Sequence, residues 1–178
     1  MAVSASGTWN IDASHSSILF SIRHLVVAKV RGKLSRFSGV LELDETDLTR
    51  SRVNIAIDVA SIDTSLEPRD AHLRSPDFFE VEKFPMATFA SKAIERHGEE
   101  YAVRGDFTLH GITKEVTLKA TFGGTVKDAR GRERVAFEAK TTLDRAAFGL
   151  TWNQALEAGG WAIGATVELE IDVEAIKA

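Results

Sequence analysis

The segment EPRDAHLRSPDFFEVEKFP, residues 67–85, contains all three prolines of the 178-residue chain. Proline cannot donate a hydrogen bond to a strand ladder, and it is therefore kept out of central strands. The proline-free arms on either side of this segment mostly alternate apolar and polar residues, as half-buried strands do. The sequence therefore predicts one β-sheet that is interrupted by one irregular excursion.

Eight stretches of the chain show this alternation, and the clearest is 52–60, where four β-branched residues fall on one face. No segment between the stretches is long enough for a helical crossover, so we expect an antiparallel sheet that closes as a barrel or folds as a sandwich. Because the strands are long for a sandwich of this size, we favour an all-β, extended, eight-stranded antiparallel barrel with short helical loop segments. The stretches are 17–24, 30–44, 52–60, 86–95, 100–109, 112–122, 133–143 and 165–174.

Small residues within these strands lead to two further predictions. Glycine in a strand often marks a bulge or a bend, which we expect at Gly32, at Gly39 and at residues 123–124. An eight-stranded barrel is just wide enough to be filled by side chains or to hold one small ligand. The small Ala120 and Ala139, at inward positions among larger residues, favour a cavity.

Composition excludes several classes of function. The net charge is −4 and no basic block exists, so we expect no nucleic-acid partner. The chain has no cysteine, and its five histidines lack metal-binding spacing, so we expect no metal and no cofactor. Residues 1–12 do not resemble a secretory signal, and no apolar run approaches the ~18 residues of a membrane span. We therefore expect one cytoplasmic domain, 1–178, without an integral membrane segment.

The excursion carries the residues that most suggest a binding site. His72 follows Arg69 by three residues, so one helical turn would place both on one face, where they and Arg74 could hold a phosphate or a carboxylate. Phe78 and Phe79 would then close over an apolar opening. The alternative is a loop that merely seals one barrel end. A second aromatic loop, 144–161, invites the same two interpretations.

Two other histidines have open roles. His24 shares its strand face with Phe20 and Ile22, and either a core position or a ligand contact fits it equally. Asp12 and His15 could pair across a turn, although we favour the simpler interpretation in which Asp12 caps the turn and His15 bonds backbone.

The chain resembles the YceI family, a group of lipocalin-like polyisoprenoid-binding proteins. The resemblance lies in W-x-I-D-x-x-H-S and F-x-I-R-H within 9–24, R-D-x-H-L-R-S-x-D-F-F at 69–79, G-D-F-T-L-H-G-I-T-K at 105–114 and D-R-x-x-F-G-L-x-W at 144–152. It implies an extended barrel whose hydrophobic tunnel holds an isoprenoid lipid, and also a homodimer. Many relatives carry a signal peptide, from which this chain departs.

Three functions follow from these observations. The first is a carrier, storage or transport protein for a polyprenyl or quinone-like lipid. The second is an enzyme that hydrolyses or isomerises a prenyl pyrophosphate, with His15, His24 or His72 as the base. The third is a closed barrel filled by its own side chains. For the first, the expected ligand contacts are Phe20, Ile22, His24, Arg69, His72, Phe79, Phe107, Phe122, Phe137, Phe148 and Trp152.

Overall fold

The computed structural model describes residues 7–44 and 46–178, and strands dominate it. Eleven strands and one α-helix alternate along these residues with short 3₁₀ turns. They are β1 (Gly7–Ile11), β2 (Ser17–His24), β3 (Ala28–Leu34), β4 (Phe37–Leu43), β5 (Arg52–Asp58), β6 (Ile62–Asp63), α1 (Glu67–Arg74), β7 (Met86–His97), β8 (Glu100–Leu109), β9 (Ile112–Lys127), β10 (Glu133–Asp144) and β11 (Ile163–Lys177).

The strands close into an eight-stranded antiparallel barrel, which confirms the predicted fold. Six of them act in pairs as three interrupted barrel strands, β1 with β2, β3 with β4 and β5 with β6. Closure occurs because the end of β11 pairs with β1, Trp9 opposite Lys177, while its first two-thirds pair with β2. Sequential antiparallel pairing from β7 to β11 completes the wall.

The glycines behave in two different ways. Gly123 lies at a register shift between β9 and β10, so the expected bend there is confirmed. Gly32 and Gly39, by contrast, stay in regular register with Phe20 and Ile55, and the expected bulges are absent. The physical reason is close packing: a Cβ on Gly32 would lie 2.5 Å from the Phe20 ring, so glycine leaves room for that ring.

The long connections gather at one end of the barrel, which we call the mouth end. It comprises the hairpin 25–27, the excursion 64–85, the turn 110–111 and the loop 145–162. Short connections after β4, β7 and β9 form the opposite, base end. Among the described residues, no helix is both long and apolar enough to cross a membrane.

The barrel interior is filled unequally along its axis. Near the base end, a tightly packed cluster is built around Trp9, which is fully buried, together with Leu41, Leu43, Val135 and Ala175. Strand alternation places these side chains inward, where they pack against one another. Toward the mouth end, the inward side chains instead surround a cavity.

Candidate ligand cavity

A cavity of about 350 Å³ occupies the mouth half of the barrel. This volume lies within the ~300–1,000 Å³ that is usual for small-molecule sites. Of its 35 lining residues only eight are polar, and the others are aliphatic or aromatic. The cavity can therefore accept an apolar molecule without stripping water from many polar groups.

Nine of the eleven residues that the sequence analysis selected lie around this one cavity. They come from the wall strands, from α1 and from both mouth loops, and they are Phe20, Ile22, His24, Arg69, His72, Phe79, Phe107, Phe148 and Trp152. The structure places the other two nearer the base. Phe137 lines a second, smaller cavity, and Phe122 packs against Phe137 and the Trp9 cluster without lining either space.

The second cavity, of about 90 Å³, continues the bore toward the base. Ile55, Leu118 and Ile171 line both cavities, so they form the constriction between them. Ala120 and Ala139, whose small size suggested a cavity, line the smaller one. The bore is therefore open in its mouth half and narrows at the constriction formed by these three residues.

Polar lining groups concentrate where the cavity meets the mouth end. The exception is Thr141, whose hydroxyl donates to the Thr117 carbonyl, 2.9 Å away, within the wall. The other seven lie at the ends of strands or in the mouth loops, and they are Arg23, His24, Thr64, Arg69, His72, Arg145 and Gln154. The cavity is thus apolar in depth and polar at its opening, which suits an amphiphilic guest.

The excursion is held in place by a small polar network. Asp70 is buried and accepts hydrogen bonds from the amide and the hydroxyl of Thr64, the former at 2.9 Å. Arg69 donates from Nε to the Thr64 hydroxyl at 2.7 Å and from Nη2 to the Thr64 carbonyl at 2.8 Å. One face of α1 is therefore tied to the chain that leaves β6, which brings Arg69 and His72 to the cavity.

The expected anion site of two arginines and a histidine is only partly assembled. Arg74 turns away from the cavity and donates to the carbonyls of Ala60 and Ile62, at 2.9 and 3.0 Å. It lies two residues beyond His72, and on a helix such residues do not share a face. Arg69 and His72 are therefore the polar side chains of α1 that line the cavity.

Three aromatic rings pack together beside this opening. The His72 ring lies 5.0 Å from Phe78 and 4.7 Å from Trp152, in edge-to-face arrangements, and Phe78 lies 5.3 Å from Trp152. His72 Nε2 also lies 2.8 Å from an Asp77 carboxylate oxygen. The excursion and the second loop therefore meet through these rings, as a cover over the cavity.

Arg145 is a lining residue that sequence reasoning did not select. It is buried, and its guanidinium donates to the carbonyls of Gly164, Leu150 and Trp152, at 2.8, 2.6 and 3.0 Å. Burial lowers the pKa of this guanidinium. The sequence feature that could have identified Arg145 is its position in the D-R-x-x-F-G-L-x-W motif, directly after a strand. Its role in the structure is to hold the second loop over the cavity.

His15 lies outside the barrel, away from the cavity, and it bonds Asp12 at 2.9 Å. Asp12 also caps the 3₁₀ turn by accepting from the Ser14 amide, as expected, whereas the His15 ring bonds this carboxylate and not the backbone. Asp12, His15 and Glu174 each place one potential metal ligand within 4.8 Å of the others. The Arg134 guanidinium, however, donates to both Asp12 and Glu174, so a protein cation already balances these carboxylates.

Comparison with known proteins agrees with this architecture. The YceI-like domain matches residues 9–175 of the chain. A UPF0312 protein of Staphylococcus epidermidis is 40% identical over 167 residues, which cover 93% of this chain and 95% of that protein.

Two solved structures share the fold. Burkholderia cenocepacia BcnA is 22% identical, with a TM-score of 0.80, over 92% of this chain and 98% of its own. A polyisoprenoid binding domain from Saccharophagus degradans is 17% identical, with a TM-score of 0.71, over 96% and 98%. With a family match across almost its whole length and a relative at 40% identity, the chain belongs to the YceI-like family.

Proposed function

We propose that this protein binds a long isoprenoid lipid, polyprenyl or quinone-like, with the hydrocarbon in the 350 Å³ cavity, and that it acts as a carrier or store for that lipid. The observation that carries the proposal is the cavity itself, which is apolar along its depth and has seven of its eight polar lining residues at the mouth. The similarity in fold to a polyisoprenoid binding domain supports the same class of ligand.

The energetics favour such a guest. Burial of one CH₂ group contributes about 0.8 kcal/mol, so one five-carbon isoprene unit contributes roughly 4 kcal/mol. Two or three units already exceed the lower estimates of the cost of immobilising a ligand. The protein therefore needs no strong polar contact for affinity, and its polar groups are left to orient the head of the lipid.

The head group is then expected at the mouth end, near His24, Arg69 and His72. Because both Arg69 contacts with Thr64 are already made within the protein, this cation can add to the affinity for an anionic head without being essential. Arg69→Ala should accordingly weaken binding of a prenyl lipid but not abolish it.

The proposal is tested by titrating delipidated protein with a fluorescent geranylgeranyl analogue. We expect saturable binding of one probe per chain, displaced by unlabelled geranylgeraniol more effectively than by a saturated fatty acid of similar length. Absence of saturable binding, or equal displacement by the two competitors, would contradict an isoprenoid site.

One observation favours a second function, the enzyme that acts on a prenyl pyrophosphate. Asp77 orients His72 at the cavity mouth, as a carboxylate orients a catalytic base. Incubation with geranylgeranyl pyrophosphate, followed by mass analysis, separates the two functions. The carrier returns the substrate unchanged, whereas turnover that disappears in His72→Ala would establish the enzyme.

A further inference from the structure

The hairpin between β2 and β3 projects apolar side chains into solvent at the mouth end. Leu25, Val26 and Val27 are 45%, 69% and 83% exposed. The Leu25 amide donates to the Ala162 carbonyl at 2.8 Å, so the hairpin adjoins Trp161, which is 60% exposed. We call Leu25, Val26, Val27 and Trp161 the apolar tip. A contiguous exposed group of this kind marks an interaction surface rather than scattered surface residues.

The backbone conformation of the hairpin disfavours the large apolar residues that occupy it. Leu25 and Val26 have φ values of 52° and 67°, in the left-handed region that favours glycine and asparagine. A β-branched residue such as valine is a genuine outlier there. Asparagine and glycine would form the same turn with less strain. Large apolar residues at these positions therefore act against the stability of the hairpin, as functional residues often do.

The segment that contains the hairpin of the apolar tip is rich in cations. Residues 21–33, SIRHLVVAKVRGK, contain four Lys or Arg and no Asp or Glu, in a chain whose net charge is −4. Lys29 and Lys33 pair with Glu168 and Asp63, at 3.2 and 3.9 Å. Arg31 is exposed and has no ion-pair partner among residues 7–44 and 46–178. Apolar side chains with a tryptophan, flanked by cations, are the features that bind the interface of an anionic bilayer.

We infer that the apolar tip inserts into the surface of an anionic lipid bilayer and places the cavity mouth against it. This rests on the proposed function, because an isoprenoid lipid resides in membranes and must enter the cavity from one. His24 and Ile163, which line the cavity, lie within two residues of the tip in sequence and face each other across β2 and β11. The apolar tip and the cavity mouth are thus adjacent, so a lipid that leaves the bilayer at the tip would enter the cavity with little exposure to bulk water.

The experiment is co-sedimentation with vesicles of equal parts phosphatidylglycerol and phosphatidylcholine. Val26→Asp combined with Val27→Asp should lower vesicle affinity at least tenfold, because two exposed apolar side chains that would enter the bilayer become charged. Val126→Asp is the matched control: Val126 is 64% exposed at the base end, and its variant should bind vesicles as the unmodified chain does. Arg31→Gln should lower the affinity about fivefold, with no such loss on pure phosphatidylcholine.

A second variant separates function from stability. Leu25→Asn with Val26→Gly should raise the thermal midpoint, because it relieves two strained positions, and yet lose most vesicle binding. All tip variants should retain their affinity for the geranylgeranyl probe in vesicle-free buffer. If the unmodified chain itself does not bind the probe, the proposed function is contradicted instead.

Unchanged vesicle binding in the Val26–Val27 variant, with probe binding intact, would overturn the inference alone. So would light scattering that shows a dimer which the same variant dissociates, in a protein that binds no vesicles. In that case the apolar tip would be an interface between two copies of the chain.

Discussion

Narrowing the cavity with one side chain should remove lipid affinity while the barrel stays folded. Val116 lies on β9, lines the cavity and packs against the cluster of Leu143, Phe148 and Leu150. In Val116→Trp the indole replaces an isopropyl group, and it adds more atoms than one isoprene unit contains. One displaced unit loses roughly 4 kcal/mol of burial, which is about a thousandfold in affinity. Overpacking costs the fold only about 1–3 kcal/mol.

The matched control is Thr117→Trp, at the next position of the same strand. Thr117 is exposed, so its indole points outward and the cavity keeps its volume. The assay is the geranylgeranyl titration, with circular dichroism melting to show that both variants fold. If both tryptophan variants bind the probe as tightly as the unmodified chain, the ligand does not occupy this cavity and the assignment of the site is refuted.

Three further outcomes concern stability. Arg145→Met leaves three carbonyls without their donor and should cost about 3 kcal/mol, a fall of roughly 6–12 °C in the melting temperature. The hydrogen bond from Arg134 holds the pKa of Asp128 well below its usual range. The pKa of Asp12 is lowered in the same way by hydrogen bonds from Ser14, His15 and Arg134. Both lowered pKa values raise the free energy of unfolding above a pH of about 3.9, the unfolded-state pKa, and this stabilisation is lost as the pH falls. In Arg134→Gln the free energy of unfolding should therefore fall less steeply with decreasing pH, as measured by acid unfolding curves. Gly32→Val should cost about 1–3 kcal/mol in urea unfolding, because its Cβ meets the Phe20 ring.

The wall of the barrel could be predicted from sequence because inward and outward residues alternate along most of its strands. The alternation of Val167, Leu169, Ile171 and Val173 with acidic residues in β11 is an example, and burial follows it. The first barrel strand begins earlier than predicted, at Gly7, because a 3₁₀ turn interrupts its alternation. The bulge expected at Gly32 is absent, and only the structure shows which ring crosses that glycine.

The cavity-lining residues on strands were accessible to the same reasoning, whereas the long side chains of the mouth were not. Arg69, Arg74 and Arg145 donate to carbonyls and a hydroxyl that the fold brings into reach, and no local pattern records those partners. Nor could spacing show that the bore narrows at Ile55, Leu118 and Ile171, since these residues meet from three distant strands. The homodimer and the cytoplasmic location stay predictions.

The most direct test of the central claim is mass spectrometry of an organic extract of the purified protein. An open apolar cavity that serves an isoprenoid lipid predicts one such lipid per chain in the extract, and its loss from Val116→Trp but not from Thr117→Trp. An extract without isoprenoid lipid, together with a native protein that takes up none when incubated with membranes, would contradict the claim.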